Sequence, residues 1–171
     1  MKRVAVALKE ADVPFALAGG FAGFARGGPE PGHDVDFYLR EDDVAKAQRA
    51  LDDAGLRLDD PPEDWLVKVY DGESMVDLIF GPKAGPVDDD LLARATSVEV
   101  DSVEMPVLSA TDLIVDKLLA LDERYCDFAK LFPLVRAIRE QVDWTEVGTR
   151  TAANAFAGAF LDLARTLELI A

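Results

Sequence analysis

The sequence predicts an α/β (α+β) protein: a mixed β-sheet with flanking helices, followed by a C-terminal helical region. Three observations carry that reading. Val35, Phe37 and Leu39 alternate with Asp34, Asp36 and Tyr38, the period-two pattern of a strand with two unlike faces. Trp65–Tyr70 and Ser74–Phe80 are apolar runs separated by Asp71-Gly72, a strong short-range hairpin signal. From Ser109 onward the apolar spacing turns helical and stays so.

Each element follows from its residues. Residues 3–11 form an amphipathic helix with Val4, Leu8 and Ala11 on one face. Pro14–Ala18 is a short buried strand closed by Gly19-Gly20, and Phe21–Arg26 a turn or two of helix. GGPEPG at 27–32 is a loop by composition. Glu41–Ala54 is a helix with the stripe Val44, Ala47 and Leu51, stopped by Gly55. After the 61–64 loop and the first hairpin comes a short helix over 88–95, then a smaller hairpin, Val98–Val100 with Val103–Val107. Ser109 reads as an N-cap with Asp112 three residues on, a capping-box variant that opens a helix carrying Leu113, Val115, Leu118, Leu119 and Leu121. A second helix spans about 126–141, bent near Pro133, and a third follows Trp144. The organisation is an α/β core over 1–107 and a helical region over 108–171 packed on it.

Composition narrows the function. The chain has 171 residues, half of them hydrophobic, enough for one compact domain with a core. Its net charge is −15, and such a surface repels nucleic-acid phosphates and anionic membranes. The 18 Lys and Arg are dispersed, so no extended nucleic-acid surface is expected. One cysteine, Cys126, excludes intrachain disulfides and cysteine-based zinc sites, and one histidine, His33, excludes His-pair metal sites. The N-terminus lacks the pattern of a signal peptide and no apolar run is long enough to span a membrane. A cytoplasmic protein is the expectation.

The carboxylates carry the chemistry. Asp34 and Asp36 fall on one strand face, and like charges there are costly unless a cation offsets them. Asp77 stands alone in the apolar run Met75–Phe80, and an unpaired buried carboxylate needs a reason. If the two strands pair, the three carboxylates meet. Hard oxygen ligands of this kind suit Mg²⁺ or Mn²⁺ and phosphoryl transfer. Gly19-Gly20, between strand and helix, lets backbone approach a phosphate closely.

Leu17-Ala18-Gly19-Gly20, a spacer, and Asp34-Val35-Asp36-Phe37 together resemble the signature of the polymerase-β-like nucleotidyltransferase superfamily. Within it the chain is similar to small stand-alone bacterial members, including those related to toxin-like and phage-defence nucleotidyltransferases. The resemblance implies a metal-dependent transfer of NMP from an NTP to an acceptor, with pyrophosphate leaving. It implies that Asp34 and Asp36 hold two metal ions, and that Asp77 joins the metal nearest the acceptor and helps deprotonate it. Gly19, Gly20 and Lys117 would bind the triphosphate. Arg124 and Asp127 stand at comparable places to the family's Arg/Asp-rich stretch, with Cys126 where a basic residue is usual. The acceptor, a small molecule, a protein or an RNA, would be recognised by the helical half and the 27–33 loop. A catalytically silent nucleotide-binding regulator, or a toxin-like component neutralised by a partner protein, are the alternatives on the same fold.

Several residues have plainer readings. Asp34 and Asp36 can be a solvated strand face, and Lys117 a surface lysine. Arg26 reads as a solvated loop arginine that could instead meet phosphate. Lys68 reads as cross-strand charge balance as readily as a nucleotide contact. Trp65 and Trp144 read as packing, Cys126 as a small buried residue, and His33 as a structural loop histidine.

Overall fold

The structure, a computed structural model, describes residues 1–32, 34–59 and 61–170. Its centre is a seven-stranded sheet. In chain order the strands are β1 (Ala16–Ala18), β2 (Val35–Tyr38), β3 (Arg57–Asp59), β4 (Leu66–Asp71), β5 (Ser74–Ile79), β6 (Thr96–Val100) and β7 (Val103–Val107). Across the sheet they run β3-β4-β5-β2-β1-β7-β6. The helices are α1 (Lys2–Glu10), α2 (Gly19–Ala25), α3 (Val44–Asp53), α4 (Asp89–Ala93), α5 (Ala110–Leu119), α6 (Phe128–Ile138), α7 (Trp144–Arg150) and α8 (Ala155–Thr166).

Two pairings matter most. β2 lies antiparallel to β1 and parallel to β5, so the middle of the sheet is mixed. The β2–β5 register sets Val35 beside Val76, Asp36 beside Asp77 and Phe37 beside Leu78. Alternation then sorts the sheet into two faces. On one, Leu17, Val35, Phe37, Val76 and Leu78 are buried in a core shared with Val4 and Leu8 of α1 and with Ala47 and Leu51 of α3. Phe15 and Phe37 meet there edge to face, with ring centroids 5.2 Å apart. The same core runs on into Leu113, Ile114 and Leu118 of α5 and Phe160 of α8. On the other face a smaller cluster of Ala16, Ala18, Tyr38 and Leu108 is covered by Val87 and α4. Asp36 and Asp77 stand on this second face.

The turns show how local chemistry fixes the register. The β4–β5 hairpin pairs Asp71 with Ser74, so its two-residue loop is Gly72-Glu73, with Asp71 the last strand residue. Gly72 supplies the positive φ (63°) that a tight hairpin of this hand requires. The β6–β7 hairpin uses Asp101-Ser102, both at positive φ (50° and 60°), in a tight turn that contains no glycine. β3 has no counterpart among the strands expected from the sequence. It is three residues long and mostly exposed, so it has no apolar signature. The helix expected over 41–54 begins with a 3₁₀ turn at Glu41–Asp43 before α3 proper. The helix expected over 126–141 is α6, with Pro133 inside it, ending in a 3₁₀ turn at Arg139–Gln141.

α5 is anchored at its start by a buried charge network. Ser109 Oγ accepts from the Asp112 backbone N–H at 3.0 Å and donates to Asp112 Oδ2 at 2.6 Å, as a capping pair should. Asp112 is 2% exposed, so its carboxylate needs full compensation. It receives Arg94, at the C-terminal end of α4, through two hydrogen bonds of 3.0 and 2.8 Å, and Arg150 of α7 at 2.7 Å. Burial works to raise its pKa, but these hydrogen bonds outweigh it and hold the carboxyl below the usual range. At the far end of α5, the Asn154 side chain donates to Leu121 O at 3.0 Å while capping α8.

Candidate active site

Asp36 and Asp77 are brought together by the sheet itself, as cross-strand neighbours on one face. Lys68 on β4 is opposite Asp77 and donates to its Oδ1 at 3.1 Å, so Lys68 balances charge across the hairpin. Among the described residues, Asp36 has no such partner. Its pKa is pushed up to about 6, chiefly by burial and next by the charge of Asp77, with Lys117 pulling the other way. Asp34 adds to the same repulsion, yet it precedes β2 and is exposed to solvent. Among the described residues, no three acidic, histidine or cysteine side chains converge into a ligand set.

The glycine pair has a structural explanation beyond ligand access. Gly19 has φ +60° and opens α2, with Ala18 paired to Asp36. A Cβ on Gly19 would lie 1.8 Å from Asp36 Oδ2. The Asp36 carboxylate therefore occupies the space that any larger residue at 19 would fill. Glycine and aspartate are one device, linked through the β1–β2 ladder.

Gly20 and Lys117 of α5 both border a cavity of about 400 Å³. The structure thus places Gly19, Gly20, Asp36, Asp77 and Lys117 around one region. Asp127 also borders that cavity, whereas Arg124 is exposed and Cys126, expected to be buried, is exposed as well. Cys126 sits in the α5–α6 connection, where no core element covers it. His33 lies outside the described residues.

Other expectations are revised by long-range contacts. Arg26 is half-buried and engaged within the fold: its side chain donates to the Leu108 and Val107 carbonyls and to Thr96 Oγ1. It fastens the end of α2 to the β7 and β6 strands. Trp144 Nε1 donates to the Arg139 carbonyl at 3.1 Å, a packing role as expected. Tyr38 was not singled out by the sequence. It lies two residues beyond Asp36 on the same face, is 5% exposed, and donates its hydroxyl to Asp116 Oδ2 at 2.8 Å. Burial raises the Asp116 pKa against that hydrogen bond and the nearby Lys117 charge. The available signal was Tyr38 itself, since a buried phenol demands a partner.

A family model described as "Uncharacterised nucleotidyltransferase" matches residues 1–170. The chain belongs to this family. It is a nucleotidyltransferase, an enzyme that transfers NMP from an NTP to an acceptor. Solved structures share the nucleotidyltransferase fold at low identity. The antibiotic-resistance factor ANT(2'')-Ia is 14% identical, with a TM-score of 0.62, over 98% of this chain and 94% of that one. An antigenic nucleotidyltransferase-like protein from Paracoccidioides brasiliensis is 15% identical, with a TM-score of 0.57, over 99% and 91% of the two chains. The lincosamide antibiotic adenylyltransferase LnuA is 15% identical, with a TM-score of 0.52, over 77% of this nucleotidyltransferase and 90% of its own chain. No curated protein is similar in sequence. No helix of the described residues is long and apolar enough to cross a membrane.

Proposed function

We propose that this nucleotidyltransferase is metal-dependent and modifies a small hydroxyl-bearing acceptor, with Asp36 and Asp77 at the reacting centre. The observation that carries the reading is the Asp36–Asp77 pair in register on adjacent strands, of which Asp36 has no ion-paired cation among the described residues. Such a pair is short of positive charge, which fits a divalent cation better than it fits a folded protein alone. Asp36 and Asp77 would hold Mg²⁺ or Mn²⁺, and Asp34 would join them from the entrance of β2. When bound, the ion would neutralise charge on the phosphates and help the pyrophosphate depart.

The chain's own groups account for the rest. The acceptor hydroxyl oxygen attacks the α-phosphorus in line, the bond from that phosphorus to the α–β bridging oxygen breaks, and pyrophosphate leaves with the electron pair. Asp77 would accept the proton of the hydroxyl. Gly19 and Gly20 would bind the triphosphate through their backbone, and Lys117 would add positive charge from α5. A small acceptor is supported by the net charge of −15, which disfavours a nucleic-acid acceptor, and by the antibiotic acceptors of ANT(2'')-Ia, found with adenylyl-2''-tobramycin, and LnuA, found with lincomycin.

Asp36→Asn tests the reading. The variant keeps the shape of the side chain but loses its charge. Mg²⁺-dependent binding of NTPs, measured by calorimetry, should weaken by about a hundredfold or more, and transfer of α-³²P label should vanish. Unchanged Mg²⁺-dependent binding in a folded Asp36→Asn protein would rule the metal assignment out.

A further inference from the structure

One row of residues crosses the sheet at the level of the reacting centre. Asp59 of β3 stands opposite Lys68 of β4, Lys68 opposite Asp77 of β5, Asp77 beside Asp36 of β2, and Asp36 opposite Ala18 of β1. Residues paired in this way across neighbouring strands point to one face of the sheet and come within side-chain reach. The row ends at Ala18, which offers no charge.

Within the row the charges are unevenly matched. The Lys68 ammonium donates to Asp77 Oδ1 at 3.1 Å, and both side chains are largely withdrawn from solvent, 26% and 16% exposed. Lys68 Nζ also lies 3.7 Å from Met75 Sδ, so the ammonium is held over β5. Asp77 Oδ2 and both oxygens of Asp36 accept no hydrogen bond among the described residues. Lys117 acts on Asp36 through its charge, without an ion pair among the described residues. The row is therefore supplied with a cation at Asp77 and lacks one at Asp36.

Two-ion phosphoryl-transfer centres set their ions about 3.5 to 4 Å apart. Here the place of a second ion would fall beside Asp77, where the ammonium already stands. Such an ion would have to displace Lys68 from Oδ1 or bind against its positive charge. Asp34, Asp36 and Asp77 taken with Lys68 carry two net negative charges, which one divalent ion cancels.

We propose that this nucleotidyltransferase works with a single divalent ion, bound on the Asp36 side, and that the Lys68 ammonium takes the place of a second ion at Asp77. The inference rests on the proposed metal-dependent NMP transfer and departs from the two-ion arrangement that the sequence resemblance implies. An ammonium supplies positive charge and hydrogen-bond donors but no open coordination position. Lys68 is thus a positioning residue: it orients the Asp77 carboxylate, offsets its charge and leaves Oδ2 for the proton of the acceptor.

Counting bound Mn²⁺ tests this. The full chain is saturated in turn with the α,β-methylene analogues of ATP, GTP, CTP and UTP, and bound Mn²⁺ is measured by calorimetry and electron paramagnetic resonance. The wild type should bind one Mn²⁺ per chain, with the spectrum of an isolated ion. Lys68→Met keeps the length of the side chain and removes its charge. It should bind two, with the spectral broadening of ions about 4 Å apart. Lys68→Arg should bind one. Lys68→Met combined with Asp77→Asn should return to one, because the second ion loses its ligand. Two Mn²⁺ in the wild type would overturn the inference and leave the metal-dependent reading standing, and this count decides even where Lys68→Met fails to fold. A folded Lys68→Met protein that still takes only one ion would overturn the role of Lys68. No Mn²⁺ bound by the wild type with any analogue would overturn both the inference and the function on which it rests.

Discussion

Gly19 and Asp36 show how tightly one position can constrain another. Gly19→Ala would place a methyl group 1.8 Å from Asp36 Oδ2 at a backbone φ of +60°. Both effects act in the same direction, since a non-glycine residue is strained there and the carboxylate must move. The expected cost is about 2 to 4 kcal/mol of stability, with nucleotide transfer reduced further because Asp36 is displaced. Thermal or urea unfolding of Gly19→Ala, alongside its transfer rate, measures both. Asp36 also gives the fold a pH signature. The folded chain keeps its proton up to about pH 6, whereas the unfolded chain releases it near 3.8. Folding therefore binds a proton in that window, and this residue's contribution to stability is full below about pH 3.8 and is lost as pH rises through about 6. Near neutral pH the ionised Asp36 costs on the order of 3 kcal/mol. In a comparison of Tm against pH without metal, Asp36→Asn should lack the fall the wild type shows across that window and be the more stable protein at pH 7.

At the scale of elements, α5 is where the site meets the helical region. Its N-terminus is held by Asp112 between Arg94 and Arg150, and its middle by the Tyr38–Asp116 bond. Lys117 owes its position to both. Asp112→Ala would leave two guanidinium groups without their buried partner, and breaking such a network costs about 3 to 5 kcal/mol. Chemical denaturation should show that loss, and the KM for NTP should rise as Lys117 loses its setting. Much of this scale was legible beforehand, for physical reasons. Asp36 stood out through its period-two spacing from Asp34 and Asp77 because it interrupts an apolar run, and their meeting followed once the two strands were neighbours. Ser109 with Asp112 announced a helix start through local spacing alone. β3 was not legible, because three largely exposed residues carry no pattern. Arg26 was legible only as a loop charge, and Asp112 only as the partner of Ser109 in a helix start. The partners the structure adds lie on elements distant in the chain, and no local spacing encodes which charge will find which. Cys126 misled through its residue type, since small thiols favour cores but this one lies in a connection.

The whole molecule joins two unlike surfaces. One face of the sheet is sealed by α1 and α3 into the main core, and the other presents carboxylates beside a cavity walled by the helical region. The core does not divide between sheet and helices, for Leu17 and Phe37 belong to the same cluster as Leu118 and Phe160. A shift of α5 is thus felt in the core and in the cavity together. The parallel pairing of β2 with β5 has a consequence in time. Hairpins such as β4–β5 close quickly because their strands adjoin in sequence, but Asp36 and Asp77 meet only after a long loop containing α3, β3 and β4 has been closed. Partly folded chains can carry every residue of the site and still be unable to assemble it. Competence to grip a nucleotide would therefore emerge among the last events of folding, making the ligand a chronometer for completion of the native sheet.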